Sequence, residues 1–287
     1  MKRKLIAFDW AIKRLLRSKA NFGILEGFLS ELLKEDIFIL EVLESESNQD
    51  YQRDKFSRVD LKVRNSNGET IIIEIQYDRE FDYLQRIFYA ASKAALESMQ
   101  AGSEYADITK VISVNILYFD LGIGKDYLYK GSPRFIGVHG HDLLQLNDKQ
   151  KKLFQKNTVE ALYPEYYLIK INSFNDIAKD TLDEWIYFLK NEEIKPDFTA
   201  KGLKEAEEKL SLMKLPPEEQ AAYERYQDDL HYQASMFQST FVDGYLEATQ
   251  DIALNLLKKG TSIGVVSEVT GWSATELNAL ALKPADQ

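Results

Sequence analysis

The stretch RVDLKVRNSNGETIIIEIQ, residues 58 to 76, constrains the fold of this chain more than any other segment. Polar and apolar residues flank an Asn-Gly pair, which is a strong signal for a tight turn between two antiparallel strands. A three-residue loop around Asn67 fixes the register and places Asp60 directly across from Glu74. Because directly opposed residues have Cβ atoms roughly 5 Å apart, the hairpin is expected to bring two carboxylates together.

Two opposed acids destabilise a sheet, and the pKa of one is raised unless a cation lies between them. Carboxylate oxygens suit a hard cation such as Mg²⁺, which keeps several waters and also binds substrate phosphates. Such an ion activates a water and neutralises the charge that develops on a phosphodiester under attack. Gln76, two residues beyond Glu74, emerges on the same side and is placed to hold that water, although its amide is not a strong base.

The alternative is that these acids form cross-strand salt bridges with Arg58, Lys62 and Arg64 on a solvated face. One feature favours a functional site. Glu74 lies within IIIEIQY, the apolar run of a central strand, where an unpaired carboxylate is costly to bury.

The composition predicts a globular, cytoplasmic protein. Its 287 residues are enough for one large domain with a tail, or for two small domains. The absence of cysteine excludes disulfides, thiolate metal sites and a cysteine nucleophile, and it fits a reducing cytosol. The apolar runs are too short to span a bilayer, so we expect no membrane partner.

The charge distribution is acidic overall and basic at the N-terminus. A net charge of −10 argues against binding nucleic acid over the whole surface, because phosphates attract Lys and Arg. Residues 2 to 19, however, contain seven Lys or Arg and a single acid, Asp9. This basic strip either faces phosphates or is an ordinary solvated helix face.

Hydrophobic periodicity predicts an α/β fold over residues 1–195, in which helices flank a mixed central sheet. Two amphipathic helices open the chain. The other predicted elements are a strand at 37–43, the hairpin, a helix at 80–102 that stops at Gly102, a buried strand at 110–119, a strand at 166–174 and a helix at 180–190.

Residues 196–287 are predicted to form an all-helical tail that ends in a helix-turn-helix-like segment, with turns at Gly260 and Gly271. Such a segment can place its second helix in a DNA major groove. From Phe241 to the end, however, three Lys stand against six Asp or Glu, a poor surface for phosphates. We therefore expect the tail to make protein contacts, including those of a homodimer, rather than to bind DNA.

The acids stand within an ordered series of segments. Asp60 followed by Glu74-Ile75-Gln76 resembles the bipartite acid motif of the PD-(D/E)XK nuclease superfamily, with Gln in place of the usual lysine. That substitution, together with FDWAIKRLL, SRVDLKV, QRIFYAASKAAL, VISVNILYF and LDEWIYFLK, resembles the Rpn group of recombination-promoting nucleases, which are often labelled transposases. The resemblance covers residues 5 to 190 well and the tail more loosely.

The resemblance implies a restriction-endonuclease-like fold and a metal-dependent DNA endonuclease that acts in recombination, mobile-element or phage-defence biology. By position, Asp60 and Glu74 would bind Mg²⁺ or another divalent cation, and Ile75 would add its backbone carbonyl. Gln76 would take the place of the lysine that orients or activates water. The alternative is a catalytically weak or inactive adaptor that keeps the nuclease fold and acts through protein contacts of its tail.

Residues outside the hairpin are further candidates. Many members of the superfamily contribute an acid from the first helices, and here Asp9, Glu26 and Glu31 are available. Arg86 and Tyr89, in the helix after the hairpin, are placed to bind phosphate or to support the metal ligands. The alternative for this helix is simple packing of its aromatic side chains on the sheet.

Overall fold

A computed structural model describes residues 5–43, 59–97, 99, 102 and 104–281. The chain divides into two compact units, Met1–Gln220 and Ala221–Gln287. The elements are α1 (Phe8–Arg14), α2 (Phe22–Leu33), β1 (Ile39–Leu43), β2 (Leu61–Asn65), β3 (Thr70–Gln76), α3 (Tyr83–Leu96), β4 (Val111–Leu117), β5 (Leu128–Gly131), α4 (Asp148–Phe154), β6 (Glu165–Lys170), α5 (Thr181–Asn191), α6 (Leu203–Lys209), α7 (Pro217–Lys258), α8 (Ile263–Thr270) and α9 (Ala274–Ala281). The predicted mixed sheet with flanking helices, followed by a helical tail, is confirmed.

The hairpin formed by β2 and β3 has the register that its turn predicts. Leu61 is paired with Ile73, and Val63 is paired with Ile71. The turn closes where the Asn65 N–H donates to the carbonyl oxygen of Glu69 at 3.0 Å. Continued by one residue beyond Leu61, this register leads to Asp60 beside Glu74.

The central position of β3 explains its continuous apolar run. The six strands lie in the order β1-β2-β3-β4-β6-β5. Strands β3, β4 and β6 are parallel to one another, whereas the other pairs are antiparallel. Every residue of β4 is buried, as expected for a strand that is covered on both faces. The carboxyl ends of the three parallel strands therefore meet at one edge of the sheet.

Helix α3 covers the face of the sheet that carries the polar residues of β3. Three alanines of α3 pack against Ile72 and Val111, and their small side chains let the helix approach closely. Because alternate residues of a strand share a face, Glu74 and Gln76 point to the same side as Ile72. The start of α3 therefore lies over the two polar residues predicted to form the site.

The opposite face is covered by helices α1, α2 and α5, which meet through aromatic side chains. Phe8, Phe28 and Trp185 pack together, with ring centroids of Phe28 and Trp185 5.5 Å apart. Just after β4, the Tyr118 hydroxyl donates to the carbonyl oxygen of Leu189 in α5 at 2.7 Å. These contacts join the three helices to one another and tie α5 to the end of β4.

Three features of the first unit differ from the sequence-based expectation. Strand β5 is a short, partly exposed edge strand without a long alternating pattern, and it was not predicted. Helix α4 has no buried residue and depends on a capping box at Asn147 and Gln150, so it lacks an apolar stripe to detect. The prediction that the long helix stops at Gly102 is wrong, because α3 ends at Leu96, two residues after its last buried residue, Ala94.

The second unit contains a small helical core built by the end of α7 with α8 and α9. Its buried residues are Ala253, Val266, Leu277 and Leu280. The predicted turns at Gly260 and Gly271 are confirmed, and both glycines have positive φ angles, +79° and +76°. The domain boundary predicted at residue 195 lies within the first unit, where α6 contacts α2. The division into a nuclease-like domain before residue 195 and a helical tail after it stays a prediction. No helix in the described part of the chain combines the length and apolarity needed to cross a membrane.

Candidate active site

The side chain of Asp60, which precedes β2, forms a hydrogen bond to the backbone of β3. Its Oδ2 atom accepts a hydrogen bond from the Ile75 N–H at 2.7 Å. Because the N–H and C=O of one strand residue point toward the same neighbour, the carbonyl of Ile75 also faces the side on which Asp60 lies. The Asp60 carboxylate thus lies against the backbone of Ile75, the residue whose carbonyl the resemblance implies as a metal ligand.

Glu74 is a buried acid among charged neighbours. It is 5% exposed. Burial raises its pKa to about 7; Arg86 and Lys13 oppose this rise, whereas the charges of Asp60 and Glu80 add to it. The negative charge of Asp60 therefore acts on Glu74 within the site.

Basic side chains of the N-terminal strip contact Asp60. The Nζ atom of Lys13 lies 3.3 Å from Asp60 Oδ1. The Nη2 atom of Arg17 donates to the Asp60 backbone carbonyl at 2.9 Å. This part of the strip adjoins the site and remains exposed to solvent. The sequence identified the strip but not its contact with Asp60.

Arg86 holds two acids at once. Its Nη2 atom forms an ion pair with Glu74, and its Nη1 atom donates to Glu80 Oε1 at 2.5 Å. The guanidinium also lies over the Tyr83 ring, 5.9 Å from its centroid. Burial opposes the charge of Arg86, but Glu74 and Glu80 outweigh it and raise the arginine pKa above its ordinary value.

Gln76 is joined to this arrangement through Glu80. Its Nε2 atom donates to Glu80 Oε1 and to the carbonyl oxygen of Asp78, each at 3.2 Å. Glu80 was not predicted as a site residue, because the sequence placed it at the start of the long helix, whereas it lies in the loop before α3. The described contacts form one series, Glu74–Arg86–Glu80–Gln76.

Two polar residues of β4, Asn115 beside Glu74 and Ser113 beside Ile72, were not predicted as part of the site. Asn115 is paired with Glu74 across the parallel ladder and is 1% exposed. It accepts a hydrogen bond from the Tyr83 hydroxyl at 3.3 Å and donates to Ser113 Oγ at 3.0 Å. The detectable signal is two polar residues spaced by two within a buried strand, a pattern that places both on one face.

A family model for the PD-(D/E)XK nuclease family transposase matches residues 6–239, a range that contains all six strands and both acids. The chain belongs to this family. Membership supports a nuclease or transposase-like role with DNA as substrate, and PD-(D/E)XK nucleases generally use divalent metal ions. No curated protein and no solved structure matches the chain.

The N-terminal acids of this PD-(D/E)XK family member have contacts of their own. Glu26 accepts the Ile39 N–H at 2.7 Å, which ties α2 to β1. Glu31 accepts the Thr181 hydroxyl at 2.5 Å, which ties α2 to α5. Asp9 is buried, and its charge adds to burial in raising the pKa of Tyr118. Glu26 and Glu31 therefore serve packing between elements.

The donor set at the end of the hairpin fits a hard divalent cation. Asp60 and Glu74 offer carboxylate oxygens and Ile75 a carbonyl oxygen, the ligand types that Mg²⁺ prefers. Within the described ranges, no group of three or more His, Asp or Glu side chains is placed to hold a metal ion. In this PD-(D/E)XK family member, a cation would thus complete its coordination with water and substrate oxygens.

Glu74→Gln is expected to stabilise the fold at pH 8 and to leave it nearly unchanged at pH 4. The folded-state pKa of Glu74 is raised, so wild-type stability falls as pH rises from 4.5 to about 7, while the unfolded chain releases its proton first. The shift from 4.5 to about 7, which already includes the opposing charge of Arg86, corresponds to about 3 kcal/mol. Urea unfolding of both proteins across this pH range, without divalent cations, measures it. A difference that does not change with pH would refute it.

Proposed function

We propose that this PD-(D/E)XK family member is a Mg²⁺-dependent DNA endonuclease that hydrolyses phosphodiester bonds. By its resemblance to the Rpn group, we place its activity in recombination, mobile-element or phage-defence biology. The observation that carries the proposal is the junction of Asp60 with β3, directly beside the buried acid Glu74.

In this proposal, Asp60, Glu74 and the Ile75 carbonyl hold the cation. Bound Mg²⁺ supplies charge neutralisation at the scissile phosphate and lowers the pKa of a water. The Gln76 amide nitrogen is occupied by Glu80 and Asp78, so its amide oxygen is the group that can accept a hydrogen bond from the attacking water. Gln76 thus orients water and does not take up its proton.

Asp60→Asn and Glu74→Gln are each expected to reduce plasmid cleavage in Mg²⁺ by about a hundredfold or more, because the lost charge supplied several kcal/mol of transition-state stabilisation. Glu41→Gln, an exposed acid of β1, is the matched control and should cleave like the wild type. Agarose gels of supercoiled plasmid, with and without EDTA, provide the measurement. Equal nicking by all four proteins would indicate a contaminating nuclease and refute the proposal.

A second candidate function is a catalytically weak or inactive adaptor. The observation that favours it is that both acids already have basic partners, Lys13 for Asp60 and Arg86 for Glu74. The adaptor predicts no metal-dependent cleavage, together with a biological effect that survives removal of both acids. The cleavage assay therefore separates the two functions.

We propose that the basic strip beside Asp60 binds the DNA backbone. Lys13, Arg17 and Lys19 are exposed on a protein that is otherwise acidic, and two of them contact Asp60. DNA phosphates bound by this basic strip would lie next to Asp60. An acidic protein could therefore bind DNA at this part of its surface.

Lys19→Gln is expected to weaken the binding of duplex DNA of any sequence and to lower the salt dependence of log Kd by about one unit. The physical reason is the loss of one phosphate contact with its released counterion. Fluorescence anisotropy in EDTA at several salt concentrations measures both effects. Lys149→Gln, an exposed lysine of α4, is the control; equal losses in the two variants would contradict a localised strip.

We propose that the helical tail forms protein contacts, including a homodimer. Helix α7 exposes Phe237, Phe241 and Tyr245 at a spacing of four residues, which places them on one side of the helix. Sedimentation velocity of the wild type is expected to show a dimer that dissociates on Phe241→Glu. A monomeric wild type at tens of micromolar would refute this proposal.

A further inference from the structure

Arg86 connects the candidate metal ligand Glu74 to the candidate water-holding residue Gln76. One guanidinium nitrogen contacts Glu74, the other contacts Glu80, and Glu80 in turn accepts the Gln76 amide. The arginine is one third exposed, so it lies at the mouth of the site rather than in the core. Through this contact series, the partner that Glu74 binds can affect the orientation of the Gln76 amide.

Arg86 and a divalent cation would compete for the carboxylate of Glu74, because both are positively charged. Strand β3 carries Gln76, an uncharged side chain, and the positive charge that contacts Glu74 comes from helix α3. A hard cation needs a Glu74 oxygen as a ligand, and two cations at one carboxylate repel each other. Glu80 offers Arg86 a second carboxylate that is not needed by the metal.

We infer that Arg86 is a positioning residue that exchanges partners: it holds Glu74 and Glu80 when the metal is absent, and Glu80 alone when the metal is bound. This inference rests on the proposed function. Because Glu80 keeps both Arg86 and the Gln76 amide in the second state, the water-orienting oxygen of Gln76 stays fixed while Glu74 turns to the metal. Arg86 would therefore weaken metal binding and support catalysis at the same time.

The exchange predicts opposite effects for two substitutions in the same contact series. Arg86→Met removes the positive charge that competes with the metal for Glu74. It should tighten Mn²⁺ binding about tenfold, the size of effect expected from a nearby charge close to the surface. Glu80→Gln leaves Arg86 with Glu74 as its remaining acidic partner in the series and should weaken Mn²⁺ binding by about the same factor. Damage to the fold alone would move both affinities in the same direction.

Isothermal titration of Mn²⁺ into each protein without DNA measures these affinities, since Mn²⁺ takes the same oxygen ligands as Mg²⁺. Arg64→Met and Glu41→Gln are the matched controls, because these residues form an exposed ion pair between β2 and β1 and carry the same charge changes. Both controls should bind Mn²⁺ like the wild type. Circular dichroism establishes that each variant is folded.

Cleavage provides the second readout. Both Arg86→Met and Glu80→Gln should lower the maximal cleavage rate, because the first releases Glu80 from its arginine and the second weakens the acceptor of the Gln76 amide. The Mg²⁺ concentration for half-maximal cleavage should fall in the first variant and rise in the second. Arg86→Lys should restore part of the rate, since an ammonium can hold Glu80 but does not bridge two acids as a guanidinium fork does.

The inference is overturned if Mn²⁺ affinity shifts in the same direction in both variants, or if Arg64→Met tightens it as much as Arg86→Met. If Arg86→Met does not fold, Glu80→Gln decides alone: an unchanged or tighter affinity refutes the exchange. If the wild type binds Mn²⁺ and cleaves DNA, but the two variants do not shift the Mn²⁺ affinity in opposite directions, only this inference is refuted. No Mn²⁺ binding to the wild type or to Arg86→Met would refute the proposed function as well.

Discussion

The carboxylate of Glu74 lies in a central strand of the sheet, where it is almost fully removed from water. A charge in such a place costs several kcal/mol unless partners repay the loss of hydration. The neighbouring elements provide such partners: Arg86 from α3 and, at longer range, Lys13 from α1. The polar pair Asn115 and Tyr83 lies beside it. The α3 face of the sheet is therefore organised around one buried acid.

Local turn chemistry and strand periodicity were enough to predict the hairpin and the main architecture. The loop around Asn67 sets the register of β2 and β3, and this register in turn directs Asp60 toward Glu74. The apolar run of β3 predicts its central position, because a strand buried on both faces needs no alternation. Short elements that bury little, such as β5 and α4, carry no such pattern and could not be predicted.

The sequence singled out Arg86 and the basic strip, but not which acid each of them contacts. Lys13 and Arg86 reach the site only because α1 and α3 cross the sheet at particular places, and those crossings depend on packing between distant segments. Glu80 lies in a loop, where an acid gives no signal. The sequence thus located the acids, and the fold determined which cations they meet.

The candidate site also depends on segments that are far apart in the chain. Strand β3 requires β4 as its parallel neighbour, and the connection between them includes helix α3. A chain still emerging from the ribosome has Asp60 and Glu74 well before β4 can dock beside them. A copy of the chain that ends before β4 would therefore lack the strand that pairs with β3 beside Glu74, and with it the shaped site.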